Sequence, residues 1–83
     1  MGEYADVKRK RVLKLLHWLE RQPGFTVNNG GKHHWIVKHE DWERPFPIPF
    51  KDRVVNKHVI KELMARITET TPITKERFDE KIK

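Results

Sequence analysis

The chain has 83 residues, of which 36% are apolar and 36% are charged, a composition that suits one folded domain with a thin core. With 18 Lys and Arg against 12 Asp and Glu, its formal charge of +6 favours nucleic acid or another acidic partner. The absence of Cys excludes disulfides and thiol catalysis, and no apolar run approaches the ~20 residues of a membrane span, so the sequence predicts a cytoplasmic protein.

The first predicted element is an amphipathic helix over residues 6–22. Apolar residues recur at the spacing of one helix face, and basic residues fall on the opposite face. The apolar face consists of Val12, Leu15, Leu16 and Leu19, and the basic face of Lys10, Lys14, His17 and Arg21. The basic stripe either follows a phosphate backbone or is the ordinary solvated face of such a helix. The adjoining basic run at 8–11 is either a further electrostatic contact or a frayed N-terminus.

Three strands are predicted next. Residues 25–27 form the first and lead into a turn over 28–31, where Asn and Gly tolerate positive φ. Residues 33–39, rich in β-branched and aromatic side chains, form the second. The third, 44–50, alternates prolines with large apolar residues, so its prolines remove hydrogen-bond donors from one edge while its apolar residues face the core. It is therefore predicted to be an edge strand whose outer side cannot be extended.

A second helix is predicted after Asn56, a good N-cap, and it ends near Pro72. Thr74 can cap a last short helix that runs to Ile82. The order α-β-β-β-α predicts an α+β fold of the double-stranded-RNA-binding type, a three-stranded antiparallel sheet with two helices on one face. Residues 1–83 are predicted to form one domain, with a core over about 6–69 and a helical extension over 72–83.

Two imidazoles follow the predicted turn directly. A side chain that titrates near neutral pH, where a loop meets a strand in a cationic protein, can offer proton transfer to a polyanion. His33 is therefore a candidate general base and acid for a ribose 2′-hydroxyl, and Lys32 and the amides of Gly30 and Gly31 are candidate phosphate contacts. Alternatively, His33 is a surface residue beside a turn. His34 would point to the opposite face of the strand, as a second catalytic imidazole, a packing residue or an exposed one.

A metal site is the other use of these imidazoles. His33, His34 and His39 could supply nitrogen ligands, with Glu40 or Asp41 as an oxygen ligand. Adjacent histidines on a strand diverge, however, and none of these spacings is typical of a zinc site. The sequence therefore predicts no metal and no cofactor.

Two tryptophans have both a functional and a structural interpretation. Trp35, in the second strand, and Trp42, in the loop that follows, could stack on unpaired bases. Aromatic residues of a sheet more often fill the core, which is the preferred interpretation for Trp35, whereas both interpretations stay open for Trp42.

The turn and the proline-rich strand together resemble a known family. The element order, the Gly-x-x-His turn at Gly30-Gly31-Lys32-His33 and the Pro-Phe-Pro-Ile-Pro segment at 45–49 are similar to the HicA family, small toxins of bacterial and archaeal toxin–antitoxin pairs. The resemblance covers roughly residues 12–67. It implies a double-stranded-RNA-binding-like fold, metal-independent mRNA endonuclease activity and inhibition by a HicB antitoxin. It also implies that His33 is the catalytic residue, with His34 as the near alternative.

Two positions depart from the family pattern. The family often has Ser after its Gly, where this chain has Gly31-Lys32, and many members carry a basic residue or His directly after the prolines, where this chain has Phe50-Lys51. The preferred interpretation is an mRNA-cleaving toxin whose partners are mRNA and a HicB-like antitoxin. One alternative is a non-catalytic RNA-binding module that uses the same basic residues, and another is an inactive toxin-like protein-interaction domain. The candidate RNA contacts on the helix are Lys10, Lys14 and Arg21.

Overall fold

A computed structural model describes residues 4–5, 7–31, 34–50 and 52–83. Its three strands form one antiparallel sheet in the order β1-β2-β3, which confirms the predicted α+β class. No helix in the described ranges is long and apolar enough to cross a membrane. In chain order the elements are α1 (Arg9–Glu20), β1 (Phe25–Gly31), β2 (His34–His39), β3 (Phe46–Pro49), α2 (Lys57–Thr70) and α3 (Lys75–Ile82).

One face of the sheet packs into the hydrophobic core and the other is open. Side chains alternate between the two faces along each strand, so the fully buried Val37 marks the core face of β2. The helices contribute one apolar stripe each, as their spacing predicts. The main buried residues are Phe25, Val27, Val37, Phe46 and Ile48 of the sheet, and Leu15, Leu16, Leu19, Ile60, Leu63, Ile67 and Phe78 of the helices.

The first strand is longer than its composition predicts. The turn predicted over 28–31 is wrong, because Asn28 pairs with Ile36 and Asn29 with Trp35, and the strand continues to Gly31. Among the described glycines, positive φ occurs at Gly24 and not in this segment. The register shifts between Asn29 and Gly31, which marks a β-bulge or irregularity at this end of the hairpin.

The third strand is an edge strand, as its prolines predict, although it covers 46–49 rather than 44–50. Pro47 and Pro49 are exposed and pair with Ile36 and His34 of β2. Because proline has no N–H, the N–H groups that bond to β2 belong to the residues that alternate with the prolines. The backbone nitrogens of Pro47 and Pro49 therefore point to the outer edge of the sheet. That edge therefore lacks the donors that an added strand would need.

Restoring those donors is expected to make the chain self-associate. In the double variant Pro47→Val/Pro49→Val, β3 gains two outward N–H groups and two β-branched side chains, which together favour strand pairing between molecules. Size-exclusion chromatography with light scattering should show a larger, concentration-dependent mass than for the wild type. Lys38→Val is the control, since it places the same side chain at an exposed position of the central strand without adding an edge donor. An unchanged mass for the double variant would contradict the role given to the prolines.

The caps predicted for the two later helices are present. The Asn56 side chain accepts a hydrogen bond from the His58 N–H at 2.8 Å, and the Thr74 hydroxyl accepts one from the Arg77 N–H at 3.2 Å. Each cap satisfies a backbone donor that the first helical turn leaves without a partner. Local side-chain chemistry thus sets where α2 and α3 begin.

The last helix is part of the core and is not a loose appendix. Phe78 is fully buried, and the Tyr4 ring packs edge-on against it with centroids 5.9 Å apart. The Tyr4 hydroxyl donates to Asp79 Oδ1 at 2.6 Å, and Lys75 Nζ lies 2.9 Å from Asp79 Oδ2.

The contacts of Asp79 also change its pKa. Burial raises the pKa of the Asp79 carboxyl, but the hydrogen bonds from Tyr4 and Lys75 and the nearby positive charge have a larger opposite effect and hold the pKa below the ordinary 3.8. This contact therefore stabilises the fold above pH 3.8 and is lost progressively as the pH falls lower.

Candidate nucleic-acid interface

The end of the sheet where β1 ends and β2 begins, called the hairpin end below, contains His34. Of the two predicted catalytic histidines, only His34 lies within the described residues. His34 begins β2, pairs with Gly31 on one side and Pro49 on the other, and is exposed. Because Val37 faces the core, the alternation of β2 places His34 on the open face, together with Ile36 and Lys38. The predicted catalytic His33 and its neighbour Lys32 lie outside the described residues.

Gly30, a predicted phosphate contact, has a packing role within β1. A Cβ atom built at this position would lie only 2.7 Å from Cδ1 and 2.9 Å from Cγ1 of Ile36, on the paired strand. The absence of a side chain therefore lets Ile36 lie across the strand, and this explains why Ile36 is half-buried on an otherwise exposed face. The spacing of the sequence alone did not indicate this role.

An arginine reaches the same end of the sheet from the start of α1. Arg9 Nη1 donates to the carbonyl of Phe50 at 3.2 Å, and Phe50 directly follows Pro49, the register partner of His34. The Arg9 backbone N–H also donates to the Arg53 carbonyl at 2.8 Å. The start of α1 is thus anchored, and the basic run at 8–11 is not a frayed terminus. The sequence indicated Arg9 only as part of the basic run at 8–11, because its contact with Phe50 joins residues 41 apart and has no local pattern.

The predicted basic stripe lies on the exposed side of α1. Lys10, Lys14 and His17 are exposed along the helix, and Arg21 is exposed at its C-cap. At 1.5 Å per residue the stripe extends about 16 Å, starting beside Arg9 at the hairpin end of the sheet. The placement of these residues on one accessible face fits the predicted role as phosphate contacts.

Both tryptophans considered for base stacking pack against the core. Trp35 lies on the core face of β2, with its ring centroid 6.3 Å from that of Phe50. Trp42 donates from Nε1 to the Thr70 hydroxyl at 2.8 Å, and the guanidinium carbon of Arg66 lies 5.4 Å from its ring centroid. The Trp42 ring attaches the loop after β2 to α2, and the Trp35 ring packs near Phe50 after β3, which favours the structural interpretation for both.

His39, a candidate metal ligand, has another environment. Its Nδ1 accepts a hydrogen bond from the Asp41 N–H at 3.1 Å, and its ring packs 4.6 Å from that of Phe25. The side chain is only 7% exposed. Within the described ranges, no group of three or more His, Asp or Glu side chains lies close enough to hold a metal ion.

Comparison with known proteins identifies no relative for this fold and surface. A scan against protein-family models and searches of curated proteins and of solved structures found no match. A functional assignment therefore rests on the residues of this chain and their contacts.

Proposed function

We propose that this chain is a metal-independent endoribonuclease that cleaves mRNA and is silenced by a cognate HicB-like antitoxin. The observation that carries the proposal is that an exposed imidazole, on His34, and an arginine, Arg9, both lie at the hairpin end of the sheet. His34, adjacent in sequence to His33, pairs with Pro49, and the next carbonyl accepts a hydrogen bond from Arg9. The resemblance to the HicA family in turn, proline-rich strand and element order adds support, as does the observed α-β-β-β-α order.

The chemistry requires a proton acceptor, a proton donor and positive charge. His33 takes the proton of a ribose 2′-hydroxyl, the 2′-oxygen forms a bond to phosphorus, and the bond from phosphorus to the 5′-oxygen breaks. The same proton can then be returned to the leaving 5′-oxygen. Lys32 and Arg9 stabilise the extra negative charge on the phosphate oxygens as the new bond forms. No metal ion is needed at any step.

Cleavage of single-stranded RNA is expected to continue in excess EDTA, and a DNA of the same sequence should stay intact. The products should carry a 2′,3′-cyclic phosphate and a 5′-hydroxyl, because the 2′-oxygen is the nucleophile. Gel analysis with end-group mapping measures both results. An RNA that carries one 2′-deoxy sugar at the cleaved position is the matched control and should resist cleavage at that position alone. Activity that disappears on chelation and returns with a divalent ion would contradict the mechanism.

The antitoxin is limited to part of the surface. Pro47 and Pro49 close the β3 edge to a regular added strand, as described above. The antitoxin must therefore cover the hairpin end of the sheet or pair with the opposite edge, formed by β1. Covering the hairpin end would cover His34, which is adjacent in sequence to the proposed catalytic His33, and would so keep RNA away from this end of the sheet.

A non-catalytic RNA-binding module is the second candidate. The exposed line of Lys10, Lys14 and Arg21 favours it, because these cations could bind a phosphate backbone whether or not the chain cleaves RNA. The two candidates differ in the EDTA experiment, since a binding module yields no cleaved product at any RNA concentration.

A further inference from the structure

A groove between α1 and α3 gathers positive charge well away from the hairpin end of the sheet. It has a volume of about 340 Å³ and is lined by Lys14, His17, Trp18, Arg21, Glu80 and Lys81. The lining thus contains three Lys and Arg side chains and one carboxylate. The helix spacing alone indicated Lys14, His17 and Arg21 of α1, whereas the contribution of α3 appears only when the two helices pack together.

Two cations of α3 lie over the ring of Trp18, a residue that lines the groove; Lys81 also lines the groove, whereas Arg77 does not. The guanidinium carbon of Arg77 lies 6.0 Å from the centroid of the half-buried Trp18 ring, and Lys81 Nζ lies 5.8 Å from it. Both distances are within the range of attraction between a cation and an aromatic ring. Because Arg77 and Lys81 lie over its ring, Trp18 positions these two cations and does not offer a free surface on which a base could stack.

We infer that this groove binds the phosphodiester backbone of single-stranded RNA, and that α3 supplies Arg77 and Lys81 as phosphate contacts. The inference rests on the proposed function, since it extends the RNA path from the hairpin end of the sheet along α1. Arg77 Nη1 lies 3.9 Å from Glu80 Oε2, but both side chains are exposed, and so weak a pair readily exchanges for a phosphate. With no free ring to read a base, binding at the groove is independent of sequence.

The test compares two variants that each remove two positive charges. Arg77→Gln/Lys81→Gln changes the groove, whereas Lys57→Gln/Lys61→Gln changes two exposed lysines of α2 and is the control. The probes are fluorescent 2′-O-methyl oligo-A and oligo-U, which are single-stranded and cannot be cleaved because the nucleophile is blocked. For both probes we expect the groove variant to bind roughly tenfold more weakly at low salt, with a slope of log K against log salt that is shallower by about 1.4. The control should remain close to the wild type.

Several results would overturn the inference. Unchanged affinity in the groove variant, or an equal loss in the control, would show that the groove makes no specific contact. A loss confined to one of the two probes would mean that bases, not the backbone, are read. Retained oligonucleotide affinity with lost binding to polyglutamate would assign the groove to an acidic protein segment instead.

The binding test is separate from the test of cleavage. If the groove variant loses affinity but the wild type never cleaves RNA, the groove assignment stands and the ribonuclease proposal fails. If the wild type cleaves RNA in EDTA while the groove variant binds as tightly as the wild type, the ribonuclease proposal stands and the groove assignment fails.

Discussion

His33→Ala is expected to slow RNA cleavage by about 10²–10⁴-fold, the usual cost of losing a positioned general base or acid. In sequence, His33 lies between β1 and β2, and a side chain in a connection between strands is not expected to contribute much to the core. Thermal unfolding should therefore stay close to the wild type. Affinity for an uncleavable 2′-O-methyl RNA should also be retained, which separates a catalytic defect from a binding defect. The rate is measured on a single-stranded RNA in single-turnover kinetics.

His34→Ala is the matched control for this experiment. It removes an imidazole at the next position, exposed on the open face of β2, and should leave cleavage within a few-fold of the wild type. If His34→Ala abolishes cleavage and His33→Ala does not, the proton-transfer role belongs to His34. If neither variant loses activity, a His-assisted mechanism is wrong.

The sequence correctly predicted those features that depend on interactions between residues close together in the chain. The Asn56 and Thr74 caps act within three residues of the helix starts that they set. The alternation of prolines with Phe46 and Ile48 likewise contains the information that β3 is an edge strand, because proline lacks a donor wherever the strand lies. These predictions are confirmed.

Features set by pairing between distant segments were not predictable in the same way. Asn28-Asn29-Gly30-Gly31 has the composition of a turn, yet pairing with β2 extends it as a strand, and Gly30 lies there because Ile36 needs the space. The contact of Arg9 with Phe50 and the position of Lys81 over Trp18 also join residues far apart in sequence. Neither periodicity nor motif spacing contains such information, so these two contacts of the cationic surface could be identified only from the structure.

Phe78→Ala is expected to lower the free energy of unfolding by about 3–5 kcal/mol, the range for losing a fully buried aromatic side chain. Phe78 is fully buried in α3, and the Tyr4 ring packs on its edge, so truncation leaves a cavity that few neighbours can close. Domains of this size have an unfolding free energy on the order of 5–10 kcal/mol, so the loss is a large share of the total. Urea denaturation measures it, and the midpoint of thermal unfolding should fall by roughly 12 °C or more.

Glu76→Ala is the control, an exposed substitution in the first turn of the same helix that should change stability by less than about 0.5 kcal/mol. A loss below about 1 kcal/mol for Phe78→Ala would mean that α3 detaches from the core in solution, since a detached helix has no burial to lose. The two outcomes also differ in RNA binding, because Arg77 and Lys81 lie over Trp18 of α1 only while α3 is packed against α1. Partial unfolding of α3 in Phe78→Ala should therefore weaken oligonucleotide binding to the level of the Arg77→Gln/Lys81→Gln variant. Both effects follow from one helix whose buried side holds the fold together and whose exposed side carries charge.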